Sequence, residues 1–200
     1  MLTLNEKRLI SRGKTRYCYQ HPLHDHLVVK IPAGPGKDQQ QANLKEYKGY
    51  QSLMSRHATL DCISHCHGFV ETDRGRGLIC DCVRDFDGAI AATIWEMVID
   101  RDECDLEQII AIAEDFCTHL IENDIRLFDL NLKNIALAKQ SDNGYRPVAI
   151  DLKGKYDNKE FIPVSSYIRY FARRKMKRRT HQLIERIRFA RAHRGELQPS

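Results

Sequence analysis

The run from Leu106 to Asp151 most narrows what this chain can fold into. Between Leu106 and Asn123, the residues Leu106, Ile109, Ile110, Ala113, Phe116, Cys117, Leu120 and Ile121 recur every three or four positions, with Glu107, Glu114, Asp115 and Glu122 mostly elsewhere. That is the pattern of a helix burying one face. It breaks at Asp124-Ile125-Arg126-Leu127-Phe128-Asp129-Leu130-Asn131-Leu132-Lys133-Asn134 and resumes as a short strand at Ile135-Ala136-Leu137-Ala138. Asn143-Gly144 is a turn signal, and Pro147-Val148-Ala149-Ile150 reads as a returning strand. Pairing the two strands brings Asn134, at the start of one, close to Asp151, at the end of the other. A buried helix must therefore feed a polar loop whose far end is clamped by a hairpin.

The loop sets Asp129 and Asn134 five positions apart, and Asp151 follows seventeen after Asn134. In phosphoryl-transfer loops an Asp orients or accepts the proton of the attacking hydroxyl, and an Asn five residues on binds a metal ion that neutralises nucleotide phosphates. Asp151 would then supply a second ligand to the same ion. An ordinary loop with an Asx-turn is the simpler account of this spacing taken alone.

The first third of the chain reads as strands around one helix. Leu9 to Tyr19 is a strand, a turn at Gly13 and a second strand, either a plain hairpin or a loop whose amides approach phosphate. After His21-Pro22-Leu23-His24-Asp25, the strand Leu27-Val28-Val29-Lys30-Ile31 puts Leu27, Val29 and Ile31 on one face and Val28 and Lys30 on the other. Lys30 is an edge-strand gatekeeper, part of a solvated face, or the phosphate-contacting lysine of a nucleotide cleft. Pro32 to Lys37 is a connector, and Asp38 to Met54 a helix with Leu44, Tyr47 and Met54 among its apolar positions. On that helix Glu46 either pairs with Lys30 or is solvated beside Lys45 and Lys48.

Gly68 to Thr72 and Leu78 to Val83 read as strands joined by the turn Asp73-Arg74-Gly75-Arg76-Gly77, with Arg74 and Arg76 as solvated loop charges. Ala89 to Ile99 reads as a helix, with Trp95, Ile94 and Val98 facing the core.

No apolar run approaches the roughly 20 residues of a membrane-spanning helix, and Met1 to Arg8 lacks the apolar segment of a signal peptide, so a cytoplasmic chain is expected. The seven cysteines are an odd, scattered set that suits reduced core thiols. Cys62-Ile63-Ser64-His65-Cys66-His67 holds zinc-type ligands, but no second pair stands at finger-like spacing. The net charge of +5 is unevenly placed: residues 165–200 carry eleven Lys and Arg against two Glu, and the remainder is net acidic. Six cations fall within 173–179, beside an apolar side formed by Ile168, Phe171, Ala172, Leu183, Ile184, Ile187, Phe189 and Ala190. Such a run is a solvated face or a site for an anion: a phosphorylated or glycolipid-like substrate, an anionic membrane surface, or nucleic acid.

Gly13, Lys30, Glu46, Asp129-Leu130-Asn131-Leu132-Lys133-Asn134 and Asp151-Leu152-Lys153-Gly154 stand in the order of the protein-kinase-like fold. With Arg16-Tyr17-Cys18-Tyr19-Gln20-His21-Pro22 after the Gly13 turn, the sequence resembles the YrbL family of the bacterial PhoP regulatory network over essentially its whole length. The resemblance implies an α+β, kinase-like two-lobed fold with a truncated C-lobe and a basic C-terminal helical tail. Residues 1–83 would form the N-lobe, 84–164 the C-lobe with the catalytic loop and metal motif, and 165–200 the tail. ATP and Mg²⁺ are the implied cofactors. Lys30 would contact the nucleotide phosphates with Glu46 holding it, Gly13 would border them, and Asp81 to Val83 would form the hinge against the purine. Asp129 would be the catalytic base, and Asn134 and Asp151 would ligate Mg²⁺.

The pattern departs from most kinases in Leu127-Phe128 before the catalytic Asp, in Asn131 two residues after it, and in Asp151-Leu152-Lys153 for the metal triplet. Forty-nine residues follow Asp151, without an Ala-Pro-Glu motif, which disfavours a peptide substrate. Three functions are therefore in play. They are an ATP-dependent phosphotransferase acting on a small or lipid-linked hydroxyl acceptor, a nucleotide-holding pseudokinase that regulates a partner, and a basic nucleic-acid-binding protein. The third lacks recognition-helix or aromatic signatures.

Overall fold

The computed structural model describes residues 1–57, 60–101, 104–127, 129–141, 144–152 and 169–197, without the side chains of 169–172. Lys153 and Gly154 of the acidic motif, Asn143 of the expected turn, and the 164/165 boundary lie outside the described residues.

Strands β1 (Leu9–Arg12), β2 (Arg16–Gln20), β3 (Leu27–Pro32), β4 (Cys66–Thr72) and β5 (Gly75–Asp81) form an antiparallel sheet in the order β1-β2-β3-β5-β4. Period-two alternation sorts β3 as expected. Val29 and Ile31 pack with Leu4 and Tyr19 on one side, while Val28 packs with Cys66, Leu78 and Cys80. Lys30 lies opposite Cys18 on β2 and Leu78 on β5. Because β3 is the central strand, the edge-gatekeeper account of Lys30 is wrong.

The β4–β5 turn is tighter than the five residues expected. Thr72 pairs with Gly75, leaving Asp73 and Arg74 as the turn, and Gly75 takes φ +102°, open to glycine at little steric cost. Arg74 and Arg76 are not merely solvated. Arg74 pairs with Glu6 and stacks over Tyr19, and Arg76 lies 4.4 Å from the centre of the Phe69 ring.

Helix α1 (Lys37–Met54) buries Asn43, Glu46 and Leu53 and leaves Leu44 44% exposed. The expected apolar face is corrected by about one position, because the inward stripe carries polar side chains that serve the sheet: Asn43 Nδ2 donates to Lys30 O at 2.7 Å.

Helix α2 spans only Ile94–Ile99. The expected start at Ala89 is overridden because the preceding backbone is claimed by the segment after β5 and by the strand that follows the Asp129 loop: Ala91 N donates to Val83 O, and Leu137 N donates to Ala92 O at 2.8 Å. Thr93 and Glu96 form a capping box that starts the helix at Ile94. Helix α3 (Leu106–Glu122) begins on an Asp105 cap and buries six of the eight stripe residues, with Leu106 and Ile121 partly buried against the same core. It ends with Ile125 N donating to Leu120 O, Asp124 N donating to Ile121 O, and Asp124 at φ 54°. That is a Schellman-type stop, and it turns the chain into the Asp129 loop.

A single 3-10 turn, Leu132–Asn134, leads into β6 (Ile135–Lys139), which pairs antiparallel with β7 (Tyr145–Ala149). Helix α4 (Arg169–Ala192) then packs against α2 and α3, followed by the short α5 (Arg194–Leu197). Met176, Leu183, Ile184, Ile187 and Ala190 lie in the same core as Ile109, Ala113, Phe116 and Leu120. Phe189, expected on that apolar side, is 59% exposed and stacks on His193 instead. Three cations of these two helices, Arg179 and Arg191 on α4 and Arg194 on α5, do structural work. Arg191 and Arg194 donate to the carbonyls of Val98 and Ile99 at the end of α2, and Arg179 donates to Leu127 O.

Among the described residues no helix is long and apolar enough to cross a membrane. All seven cysteines are free thiols, five of them buried. Among the described residues, only Cys66 of the Cys62–His67 segment joins a set of possible metal ligands, with Cys80 and Glu46, and Glu46 is already ion-paired.

Candidate functional site

A cavity of about 480 Å³ opens between the first sheet and the β6–β7 hairpin. Six of the eight expected site residues line it: Gly13, Lys30, Asp81, Val83, Asn134 and Asp151. The other two stand one contact behind: Glu46 holds Lys30, and Asp129 holds Asn134.

The apolar part of the wall combines Ile10, Cys18 and Val28 from the sheet with Val83, Ala136 and Ile150 from the other side. Burial pushes the Cys18 thiol up to about 12, although Lys30 opposes this, so Cys18 acts here as a small apolar contact. In the hinge segment, Cys82 N donates to His26 O and Val83 O accepts from Ala91 N. The Asp81 carboxylate turns away to His67 and the His65 amide. Val83 N–H has no hydrogen-bond partner among the described residues.

In the Gly13 turn, which borders the cavity, the glycine's own amide closes the hairpin. Gly13 N donates to Arg16 O at 2.8 Å, and a Cβ at Gly13 would meet that oxygen at 3.0 Å. Gly13 is needed for a close backbone approach within the turn, and its own amide is engaged.

The polar centre is built around Lys30, which is 8% exposed. Its Nζ donates to Glu46 Oε1 at 2.7 Å and to Ile150 O at 2.6 Å, tying the sheet to α1 and to the segment after β7. Burial would push this ammonium down, but the Glu46 carboxylate outweighs it and holds the group above the ordinary lysine range.

Arg16, which sequence reasoning passed over as a site residue, completes the centre. Its Nη1 pairs with Glu46 Oε2 and its Nη2 donates to Asp151 Oδ1 at 2.7 Å. Glu46 thus accepts two cations, one on each oxygen. Burial opposes the Arg16 charge, and the two carboxylates overcome that opposition. The signal was available in the period of β2, where Arg16 and Cys18 share the face that meets Lys30.

On the hairpin side, Asn134 Nδ2 donates to Asp129 Oδ2 at 3.1 Å, and Ile150 N donates to Asn134 O at 2.9 Å. The hairpin therefore brings Asn134 beside the segment that carries Asp151, as the strand pattern required. An Asn amide oxygen and a carboxylate are hard donors that suit Mg²⁺. Trp95, expected in the core, packs on it from one side and also borders the cavity, with Lys133 Nζ 4.4 Å from its ring centre. A second cavity, of about 520 Å³ between α3 and β7, contains none of the expected site residues.

Over residues 2–188 the sequence matches the family described as PhoP regulatory network protein YrbL. It is 30% identical over 200 residues to YrbL of Escherichia coli (strain K12), spanning all of this chain and 94% of that one, and equally similar to YrbL of Shigella flexneri. Among solved structures it is similar to an apo pseudokinase, with a TM-score of 0.48 and 14% identity over 78% of this chain and 63% of that one.

Proposed function

The chain belongs to the YrbL family, described as PhoP regulatory network proteins, and on that premise we propose that it is a kinase-like phosphotransferase whose cleft holds a nucleoside triphosphate. The observation that carries this reading is the Lys30–Glu46 ion pair, 2.7 Å long and buried, at the wall of a cavity that also presents Asn134 and Asp151. A buried lysine fixed by a carboxylate, with an apolar slot beside it, suits the phosphates and base of a nucleotide.

Asp129 would accept the proton of the acceptor hydroxyl, held in place by Asn134. Asn134 and Asp151 would hold Mg²⁺, which when bound supplies charge neutralisation to the phosphates. The acceptor is a hydroxyl on a small or glycolipid-like anionic molecule, drawn by the exposed cations at the start of α4. An anionic membrane surface would engage the same cations, and nucleic acid is the least favoured partner.

The test is transfer of label from γ-labelled ATP to extracts of acidic small molecules, glycolipids and proteins. Asp129→Asn is expected to abolish transfer while sparing ATP affinity, because the lost group acts on the acceptor. Label moved equally well by Asp129→Asn removes Asp129 from that role. ATP binding without transfer to any acceptor favours the second reading, a regulatory nucleotide-binding module. The specific observation on that side is that Arg16 already engages Asp151.

A further inference from the structure

Asp151, the carboxylate assigned to the metal, has its Oδ1 2.7 Å from Arg16 Nη2, while Nη1 of the same guanidinium rests on Glu46. One planar fork spans both carboxylates. None of the three is in open water: the side chains of Glu46, Arg16 and Asp151 are 3%, 12% and 28% exposed. Among the described residues, Arg16 and Lys30 stand against Glu46 and Asp151 before any ion arrives.

A divalent cation brought to Asp151 would stand against a guanidinium that cannot lose its proton. It would have to share that carboxylate or displace Arg16 from it, in a partly desolvated setting where like charges repel strongly. Mg²⁺ also gives up its water reluctantly and demands near-octahedral geometry. A phosphate meets the opposite situation. Arg16 lines the same cavity as Gly13 and Lys30, and a guanidinium matches phosphate oxygens as a bidentate donor. Turning from Asp151 to phosphate exchanges one anionic partner for another and leaves Glu46 in place as the anchor.

We propose that Arg16 takes the place of a divalent ion in nucleotide capture, so that the cleft binds ATP without metal. The inference rests on the nucleotide reading above and concerns the binding step alone. It makes Arg16 a binding residue whose position in β2 determines the metal requirement of the site.

The experiment is isothermal titration of the full chain with ATP, in EDTA and in excess Mg²⁺, for wild type, Arg16→Gln and Asp151→Asn. Wild type is expected to bind within about threefold under the two conditions. Arg16→Gln is expected to lose about tenfold or more in EDTA and to recover part of it with Mg²⁺, because Asp151 is released to hold the ion. Asp151→Asn, which keeps Arg16 and removes its competing partner, is expected to bind metal-free ATP at least as tightly as wild type. This variant decides the matter should Arg16→Gln fold poorly. Titration with Mn²⁺ alone is expected to show binding to Arg16→Gln and none to wild type. Wild-type binding that needs Mg²⁺ by about tenfold or more, or metal-free affinity lost in Asp151→Asn, overturns this inference and leaves the nucleotide reading standing. No ATP binding by wild type in either condition overturns the nucleotide reading and this inference with it.

Discussion

Replacing Glu46 by Gln removes one negative charge from the point where two buried cations meet, and leaves the shape almost unchanged. Glu46 is 3% exposed, and the side chains of Lys30 and Arg16 are 10% and 12% exposed. Removing one partner of a buried ion pair costs about 3–5 kcal/mol, because an uncompensated charge stays behind. Lys30 keeps its bond to Ile150 O and Arg16 keeps Asp151, so the low end applies, about 3 kcal/mol. For a chain of this size that corresponds to a fall of roughly 6–12 °C in melting temperature.

The effect has a pH signature. Lys30 is held above its ordinary value in the folded state, so its contribution is fully present below the unfolded pKa of about 10.5 and is lost as pH rises through the folded value. The gap between wild type and Glu46→Gln should therefore be flat around neutrality and narrow only above roughly pH 10.5. Scanning calorimetry at neutral pH, with urea unfolding across the alkaline range, measures both. Combining the change with Lys30→Met should cost less than the sum of the two singles, since the stranded ammonium is then gone. A Glu46→Gln protein within about 0.5 kcal/mol of wild type, the range of an ordinary surface change, would refute the argument.

Gly77→Ala should destabilise by about 1–3 kcal/mol, read by urea unfolding, because its Cβ would stand 2.6 Å from Val29 Cγ1 in a strand where Val29 is fully buried. Changing the exposed Arg173, Arg174, Lys177 and Arg178 to Gln should abolish the salt-sensitive retention on anionic vesicles expected of wild type, with ATP binding and melting temperature kept; equal retention by both proteins would dismiss the anion site. Arg179 is left out of that variant because it anchors the Leu127 carbonyl. Stability should fall as pH rises from about 9 towards 12, since burial raises the Cys18 thiol in the folded state and its contribution is complete only below the free thiol's value. Cys18→Ala should flatten that decline by about 1.4 kcal/mol per pH unit, and an unchanged slope would count against it.

Local periodicity made much of the fold legible. The stripe of α3 and the alternation of β3 are set by neighbours within a few residues, so Leu106 to Ile121 and Leu27 to Ile31 fold as their spacing dictates. The hairpin arithmetic that put Asn134 near Asp151 was likewise local. Reading failed where a distant partner overrode a local preference. Ala89 to Thr93 has the composition of a helix start, yet its backbone serves Val83 and Leu137. Leu44 has the hydrophobicity of a core residue, yet the inward face of α1 is given to Asn43 and Glu46 because the polar centre needs them.

By itself, then, the sequence determined which elements form, that Lys30 points to the face opposite Val29 and Ile31, and that a polar loop follows a buried helix. Only the tertiary structure decided that Lys30 lies on a central strand and that α4 closes the core around α3. It also decided that Arg16 joins Glu46, 30 positions away, to Asp151, 135 positions away. A charged side chain has no periodic signature of its partner. Its place is settled by where folding leaves an opposite charge out of water, and that depends on every element in between.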